Sequence, residues 1–147
     1  MQETPIPVQR LSANARRAYL AHLVALEDVD VRLRFGSRLP APAIERYVEG
    51  IDFDRDALFG VHGAGMRLVG AAHLAFGDDL AELGLSVSPG SRRKGVGAAL
   101  IEQVTHWARE HGCEKVYWLT QNGNTRARGL YDRVASATGF VHYEVEL

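Results

Sequence analysis

A strand that ends at a proline and runs through a basic, glycine-bearing turn into a helix constrains this chain more than any other stretch. It reads Val87-Ser88-Pro89-Gly90-Ser91-Arg92-Arg93-Lys94-Gly95-Val96-Gly97-Ala98. Beyond it Leu100, Ile101, Val104, Trp107 and Ala108 repeat at helical spacing, and Gly112 suits the residue just past a helix end. A strand, a basic loop and a helix N-terminus in that order aim unpaired backbone N–H groups and the positive end of the helix dipole at one point. Such a point suits a phosphorylated ligand. The chain carries a net charge of −1 over 147 residues, so it has no general field for nucleic acid or a membrane, and any basic function is local.

The rest of the chain reads as a single domain, 1–147. Residues 6–11 suggest a short strand, and Ser12 an N-cap for a helix to about Leu26 with Ala15, Leu20, Leu23, Val24 and Leu26 on its apolar face. Glu27-Asp28-Val29-Asp30 ends that helix. Residues 31–38, followed by Pro40 and Pro42, read as a loop before a second helix through Ala43, Ile44, Tyr47 and Val48 to Gly50. Residues 57–62 and 66–76 form a hairpin about Gly63-Ala64-Gly65, and Gly77-Asp78-Asp79 turns the chain into a third strand, 81–87. After the basic turn and its helix, a strand at 116–120 lies parallel to the third through a right-handed crossover. Asn124 then caps a helix with Ala127, Leu130, Tyr131, Val134, Ala135 and Thr138 on one stripe, Gly139 stops it, and 140–147 form a last strand.

Cys113 is the single cysteine, which excludes an internal disulfide and a multi-cysteine metal site; no metal is expected. The first residues have neither a basic nor an apolar region of the secretory type, and no apolar run reaches membrane-spanning length. A cytoplasmic location is the expectation.

Two familiar phosphate motifs fail. Gly90 and Gly95 are spaced as in a P-loop, but Val96 and Gly97 stand where Lys and Ser/Thr belong. Gly95-x-Gly97-x-x-Leu100 lacks the third glycine of a dinucleotide fingerprint and follows an antiparallel meander. Arg92-x-x-Gly95-x-Gly97, together with Asn124-x-x-Ala127-x-x-x-Tyr131 further on, instead resembles the GNAT superfamily of acetyl-CoA-dependent N-acetyltransferases. The resemblance implies an α/β (α+β) fold: a mixed, mostly antiparallel central sheet flanked by about four helices, in the order β-α-α-β-β-β-α-β-α-β.

It also implies a site. Acetyl-CoA would be the co-substrate, its pyrophosphate held by Arg92, Arg93, Lys94, Gly95, Val96, Gly97 and Ala98, where the missing Cβ atoms of the glycines let backbone N–H groups approach. The strand at 82–87 would splay from that at 116–120, and pantetheine would pair with backbone groups around Leu85, Ser86 and Val87. Asn124 would contact CoA, and Tyr131 would both contact it and protonate the departing thiolate. Glu82 is the candidate general base, acting through water. On the residues alone, Tyr131 also reads as a core tyrosine and Glu82 as a strand glutamate facing solvent or an arginine. His73 and His106 are weaker candidates, more often structural.

Cys113, at the far end of the helix from the basic turn, is a poor nucleophile, so transfer would run directly in a ternary complex. On the acceptor side Arg32, Arg34, Phe35 and Arg38 precede the acids Glu45, Glu49, Asp52, Asp54 and Asp56. Arg34 and Phe35 are the candidate substrate contacts, and most of the acids read as surface partners. The expected activity is acetyl transfer to a primary amine of a small molecule or peptide, with a degenerate acyl-CoA sensor or scaffold as the alternative. One strand after the last helix, where the family usually has two, points to a homodimer through the C-terminal segment.

Overall fold

The computed structural model describes residues 5–77, 80–120, 124–138 and 145. Five strands form one sheet in sequential order: β1 (Gln9–Leu11), β2 (Ala57–His62), β3 (Leu68–Phe76), β4 (Leu80–Val87) and β5 (Lys115–Tyr117). The first four are antiparallel to their neighbours. β5 runs parallel to β4 and reaches it through helix α4 (Val96–Glu110), as the crossover reading requires.

Strand partners share a face of the sheet, so the two cores can be read off the register. On one face Phe59, Val61, Ala72, Leu74 and Leu83 pack against Val96, Leu100, Ile101, Val104 and Ala108 of α4. The other face carries Leu58, Leu68 and Ala71 beneath three helices, α1 (Arg16–Val24), α2 (Asp28–Phe35) and α3 (Ala41–Glu49), which contribute Tyr19, Leu23, Val31, Ile44 and Val48. Each fully buried aliphatic side chain stabilises the fold by roughly 1.5–3 kcal/mol. A last helix, α5 (Thr125–Val134), lies beside the N-terminal part of α4, with Leu130 against Gly97.

The helix α2 corrects the loop expected over 31–38. Its charges follow the helix dipole, with Asp28 and Asp30 in the first turn and Arg32 and Arg34 in the last, and Gly36 at φ +79° terminates it. Five α-helices therefore flank the sheet in the described residues, one more than expected. The first helix is shorter than its apolar pattern suggests. A single 3₁₀ turn (Ala13–Ala15) precedes it, and Ser12 donates to Asn14 Oδ1 at 2.6 Å instead of capping. Its buried face is Tyr19, His22 and Leu23, while Val24 is exposed.

β1 pairs with β2 from Gln9 onward, leaving out Ile6, the donor-less Pro7 and Val8. β3 starts at Leu68 because a 3₁₀ turn (Ala64–Met66) occupies its expected beginning. β5 stops at Tyr117, short of Thr120, and Asn124 holds the N-cap position of α5 without a side-chain cap, donating instead to Thr120 Oγ1 at 3.0 Å. Apart from Val145, the strand expected over 140–147, and with it the dimer expected through that segment, lies outside the described residues. No helix among the described residues is long and apolar enough to cross a membrane.

Two features of the cores generate measurable expectations. A Cβ built on Gly70 of β3 would lie 2.5 Å from Val96 Cγ1 and 3.1 Å from Leu100 Cδ1, so α4 sits this low on the sheet because residue 70 has no side chain. Gly70→Ala is expected to cost about 1–3 kcal/mol through overpacking against stiff neighbours. An unchanged urea midpoint would contradict so tight an approach.

The second core buries ionisable groups. Burial holds the imidazoles of His22 and His73 below their ordinary value of 6.5, outweighing the hydrogen bonds that favour the charged ring. For Asp56 burial alone would raise the carboxyl, but hydrogen bonds from Arg55, His73 and the Phe76 amide outweigh it and place it below 3.8. The unfolded chain therefore binds protons more readily at all three groups. Stability should be full above about pH 6.5, then fall with pH through the lowered histidine values and again below the carboxylate range. A melting temperature that stays flat from neutral pH to about pH 5 would contradict this.

Candidate active site

The ladder between β4 and β5 lasts for three pairs, Leu80↔Lys115, Ala81↔Val116 and Glu82↔Tyr117, and then stops. Past that point the edge of β4 has no strand against it among the described residues. A cavity of about 420 Å³ fills the gap. Leu83, Gly84, Leu85, Ser86 and Val87 form one wall, and Trp118, Leu119 and Thr120 with Ala127, Leu130 and Tyr131 of α5 form the other.

The basic turn closes one end. Gly95, at φ +84°, is the N-cap of α4, and Ala99 makes the first helical bond, to the Gly95 carbonyl, at 3.0 Å. The N–H groups of Gly95, Val96, Gly97 and Ala98 therefore have no intrahelical acceptor, and all four residues line the cavity. A Cβ on Gly97 would stand 3.2 Å from Leu130 Cδ2, between the two walls, so its absence both keeps this cradle open and lets α5 approach. Arg93 lines the cavity from a left-handed conformation, φ +60°.

Not all of the basic charge is available. Arg92 lines the cavity, but its guanidinium meets Asp30 of α2 at 2.6 Å, in a pair that is 21% and 6% exposed. This ion pair ties α2 to the turn and balances one of the three cations. Lys94 is exposed and outside the cavity wall. A diphosphate fits the cradle through the four N–H groups and Arg93, with Arg92 in a supporting position.

Tyr131 is half-buried on the cavity wall and meets Trp118 edge-on, with ring centroids 5.3 Å apart at 68°. Asn124 also lines the cavity. Glu82 does not. It is exposed, its Oε2 accepts from the Tyr117 hydroxyl at 3.3 Å, and it shares a face with Gly84 and Ser86 but stands before the gap opens.

Phe35 is likewise outside the cavity wall, packed edge-on against Tyr47 at 5.2 Å, whereas Arg34 lines it. His106 sits on the surface with Glu110, and Cys113 lies just past the far end of α4, its thiol pushed up by burial.

Two polar clusters beside the cavity escaped the sequence reading. Ser86 Oγ is 2.9 Å from His22 Nε2, while His22 Nδ1 faces the Leu68 carbonyl at 3.2 Å and Ser88 Oγ at 3.3 Å. With the proton on Nδ1, as the carbonyl requires, Nε2 is an acceptor for the Ser86 hydroxyl, and the buried ring stays neutral at neutral pH. His22 falls on the buried stripe with Tyr19, Leu23 and Leu26, and a histidine at that spacing was the available signal. The second cluster joins Asp56, His73, Tyr47 and Tyr19 to Arg34. Asp56, expected on the surface, is 3% exposed and bonded to His73 Nε2 at 2.9 Å. No local pattern brings these residues together, because they come from α1, α2, α3, β3 and the segment before β2.

Known proteins resemble this chain in sequence and in fold. The sequence model of the acetyltransferase (GNAT) family matches residues 21–135. A stretch of 60 residues is 47% identical to the D-amino-acid N-acetyltransferase HPA3 of Saccharomyces cerevisiae, covering 41% of this chain and 37% of the yeast protein. Another of 61 residues is 36% identical to the uncharacterized N-acetyltransferase YhfO of Bacillus subtilis, covering 40% of this chain and 41% of that protein. These matches thus span well under two thirds of either relative.

Among solved structures, the aminoglycoside N-acetyltransferase AAC(6')-Iy in complex with CoA superposes with a TM-score of 0.74 at 18% identity, over 99% of this chain and 97% of that one. The ribosomal-protein-alanine N-acetyltransferase of Brucella melitensis biovar Abortus 2308 gives 0.70 at 17%, over 97% and 100%. At these identities the likeness is one of fold. The family match runs from within α1 to the residue after α5 and so takes in both walls and the basic turn; the chain belongs to the acetyltransferase (GNAT) family.

Proposed function

We infer that the chain is an N-acetyltransferase that moves an acetyl group from acetyl-CoA to a primary amine of a small molecule or peptide, directly and in a ternary complex. The observation that carries this reading is the gap between β4 and β5, with a helix N-terminus at one end and Tyr131 on its wall. Acetyl-CoA supplies an activated acyl group and a thiolate leaving group. The N–H groups of Gly95 to Ala98 and the Arg93 guanidinium hold its diphosphate, and the unpaired edge of β4 at Leu85, Ser86 and Val87 offers backbone groups to an extended amide chain laid alongside it. Tyr131 holds a phenolic proton on the wall of the same gap, in position to protonate a thiolate.

The amine must lose a proton. At a reference pKa of about 10.4 this costs about 4.6 kcal/mol at pH 7, so an acceptor within the cavity matters. Ser86 lines the cavity and is bonded to the neutral His22, which makes this pair the proton acceptor favoured by the geometry. Glu82 stands outside the cavity wall and would need a water to reach an amine.

The test is thiol release over a panel of amines that includes D- and L-amino acids, an aminoglycoside and an alanine-terminated peptide. Tyr131→Phe should lower kcat by roughly 10²–10⁴ and leave acetyl-CoA binding intact. Ser86→Ala should lower kcat and Glu82→Gln should leave it within a few-fold; the reverse ranking returns the base to Glu82. Binding of acetyl-CoA without turnover of any amine would instead make the chain an acyl-CoA sensor. No thermal shift with acetyl-CoA would overturn both readings.

A further inference from the structure

Among the described residues, Arg34 is a cation with no anion beside it. The last turn of α2 carries it over β4, and its guanidinium rests where Gly84 has no side chain. A Cβ there would lie 2.2 Å from both Cζ and Nη2. Phe35 and Tyr47 flank it, their ring centroids 4.5 and 5.3 Å from Cζ. Among the described residues its hydrogen bonds all leave from Nη2, to Tyr47 Oη at 2.6 Å and Tyr19 Oη at 3.3 Å, and Nε has no partner. No carboxylate of the described residues stands within ion-pair distance of it, in contrast to Arg92 one strand-end away, which has Asp30.

The groups behind Arg34 hold it still. Tyr47 accepts from Arg34 and so donates its own proton to His73 Nδ1; His73 Nε2–H then donates to Asp56 Oδ2 at 2.9 Å. Every bond in that series runs the same way when the ring is neutral, which burial favours. The far end of the series is anchored by Arg55 Nε and the Phe76 amide on Asp56 Oδ1, at 3.0 and 3.2 Å. A planar donor, fixed in place, charged at any working pH and turned toward a cavity, is suited to a planar anion.

We propose that Arg34 is a carboxylate seat at the Gly84 end of the cavity, and that Tyr47, His73 and Asp56 are its positioning residues. On the acetyltransferase reading, this end of the cavity is where the acyl group and the amine meet, so the ligand that enters carries a carboxylate close to its reacting centre. The carboxylate belongs either to the acceptor, an amino acid, or to the donor, a dicarboxylic acyl-CoA. Polycationic acceptors such as aminoglycosides are disfavoured by the same uncompensated charge.

Calorimetric binding to the CoA-loaded protein tests the seat without requiring turnover. The probes are glycine, D-alanine, L-alanine and L-phenylalanine, each against its amide; in parallel, succinyl-CoA is compared with acetyl-CoA on the CoA-free protein. At least one free acid should bind ten-fold or more tighter than its amide, or succinyl-CoA ten-fold or more tighter than acetyl-CoA. The first result assigns the carboxylate to the acceptor and the second to the donor.

That preference should vanish in Arg34→Gln and in Gly84→Ala, which displaces the guanidinium without removing its charge, while Tyr47→Phe should shrink it and leave amide affinity unchanged. If Arg34→Gln does not fold, Gly84→Ala is read alone. Equal affinity within every pair, no binding by any probe, or a preference that survives displacement of Arg34 would overturn the proposal. A preference for the acid without turnover of any amine would keep the seat and overturn the acetyltransferase reading.

Discussion

The parallel ladder between β4 and β5 stops after Glu82↔Tyr117, and the working part of the molecule depends on that stop. A strand edge left unpaired in a protein interior is costly unless something else satisfies it. Here the divergence opens a slot that crosses the sheet from the α4 side to the side covered by α1, α2 and α3. The slot persists because both of its walls are held from behind by the core around α4. Leu83 and Ala81 pack into the cluster around Leu100 and Val104, and Leu130 and Tyr131 of α5 reach the same cluster from the other wall. Gly70 allows α4 to sit low enough to brace β4, and Gly97 allows α5 to come in beside it.

Charge is distributed along this slot with unusual economy. At one end, four helix N–H groups and Arg93 face the cavity while Arg92 is taken up by Asp30. At the other, the hydrogen bonds of Arg34 among the described residues go to two phenols. Both cations on the α2 side owe their place to one eight-residue helix, whose Asp30 and Arg34 lie a turn apart. The helix thus links the end of the slot suited to phosphate with the end where we place the acyl acceptor. His22, with Ser86, stands between them on the same face of the sheet.

Several of these features were open to a reader of the sequence, and several were not. Val96, Leu100, Ile101, Val104 and Ala108 announce α4 by their spacing, and the strand–turn–helix order around Arg92, Gly95 and Gly97 identifies the cradle, since local geometry suffices for both. α2 went unread because its stretch is short and polar, so its signal was not an apolar stripe but the sorting of acids and bases toward opposite ends before Gly36. Glu82 looked well placed on its strand, but placement along a strand says nothing about whether the neighbouring strand is still paired there. The same limit hid Asp56, which reads as one of several acids in a loop and is instead the buried anchor of His73.

Sequence by itself determined most of the elements, α2 excepted, because helical and strand periodicity, glycine and proline positions and the basic turn are properties of neighbours along the chain. It determined the family for the same reason, the motif being local. The tertiary structure alone decided which charges are balanced. Arg92 and Arg34 look alike in the sequence, yet folding places a carboxylate 2.6 Å from the first and two phenols around the second. Electrostatic pairing is set by distance in space and by burial, neither of which is encoded in residue order.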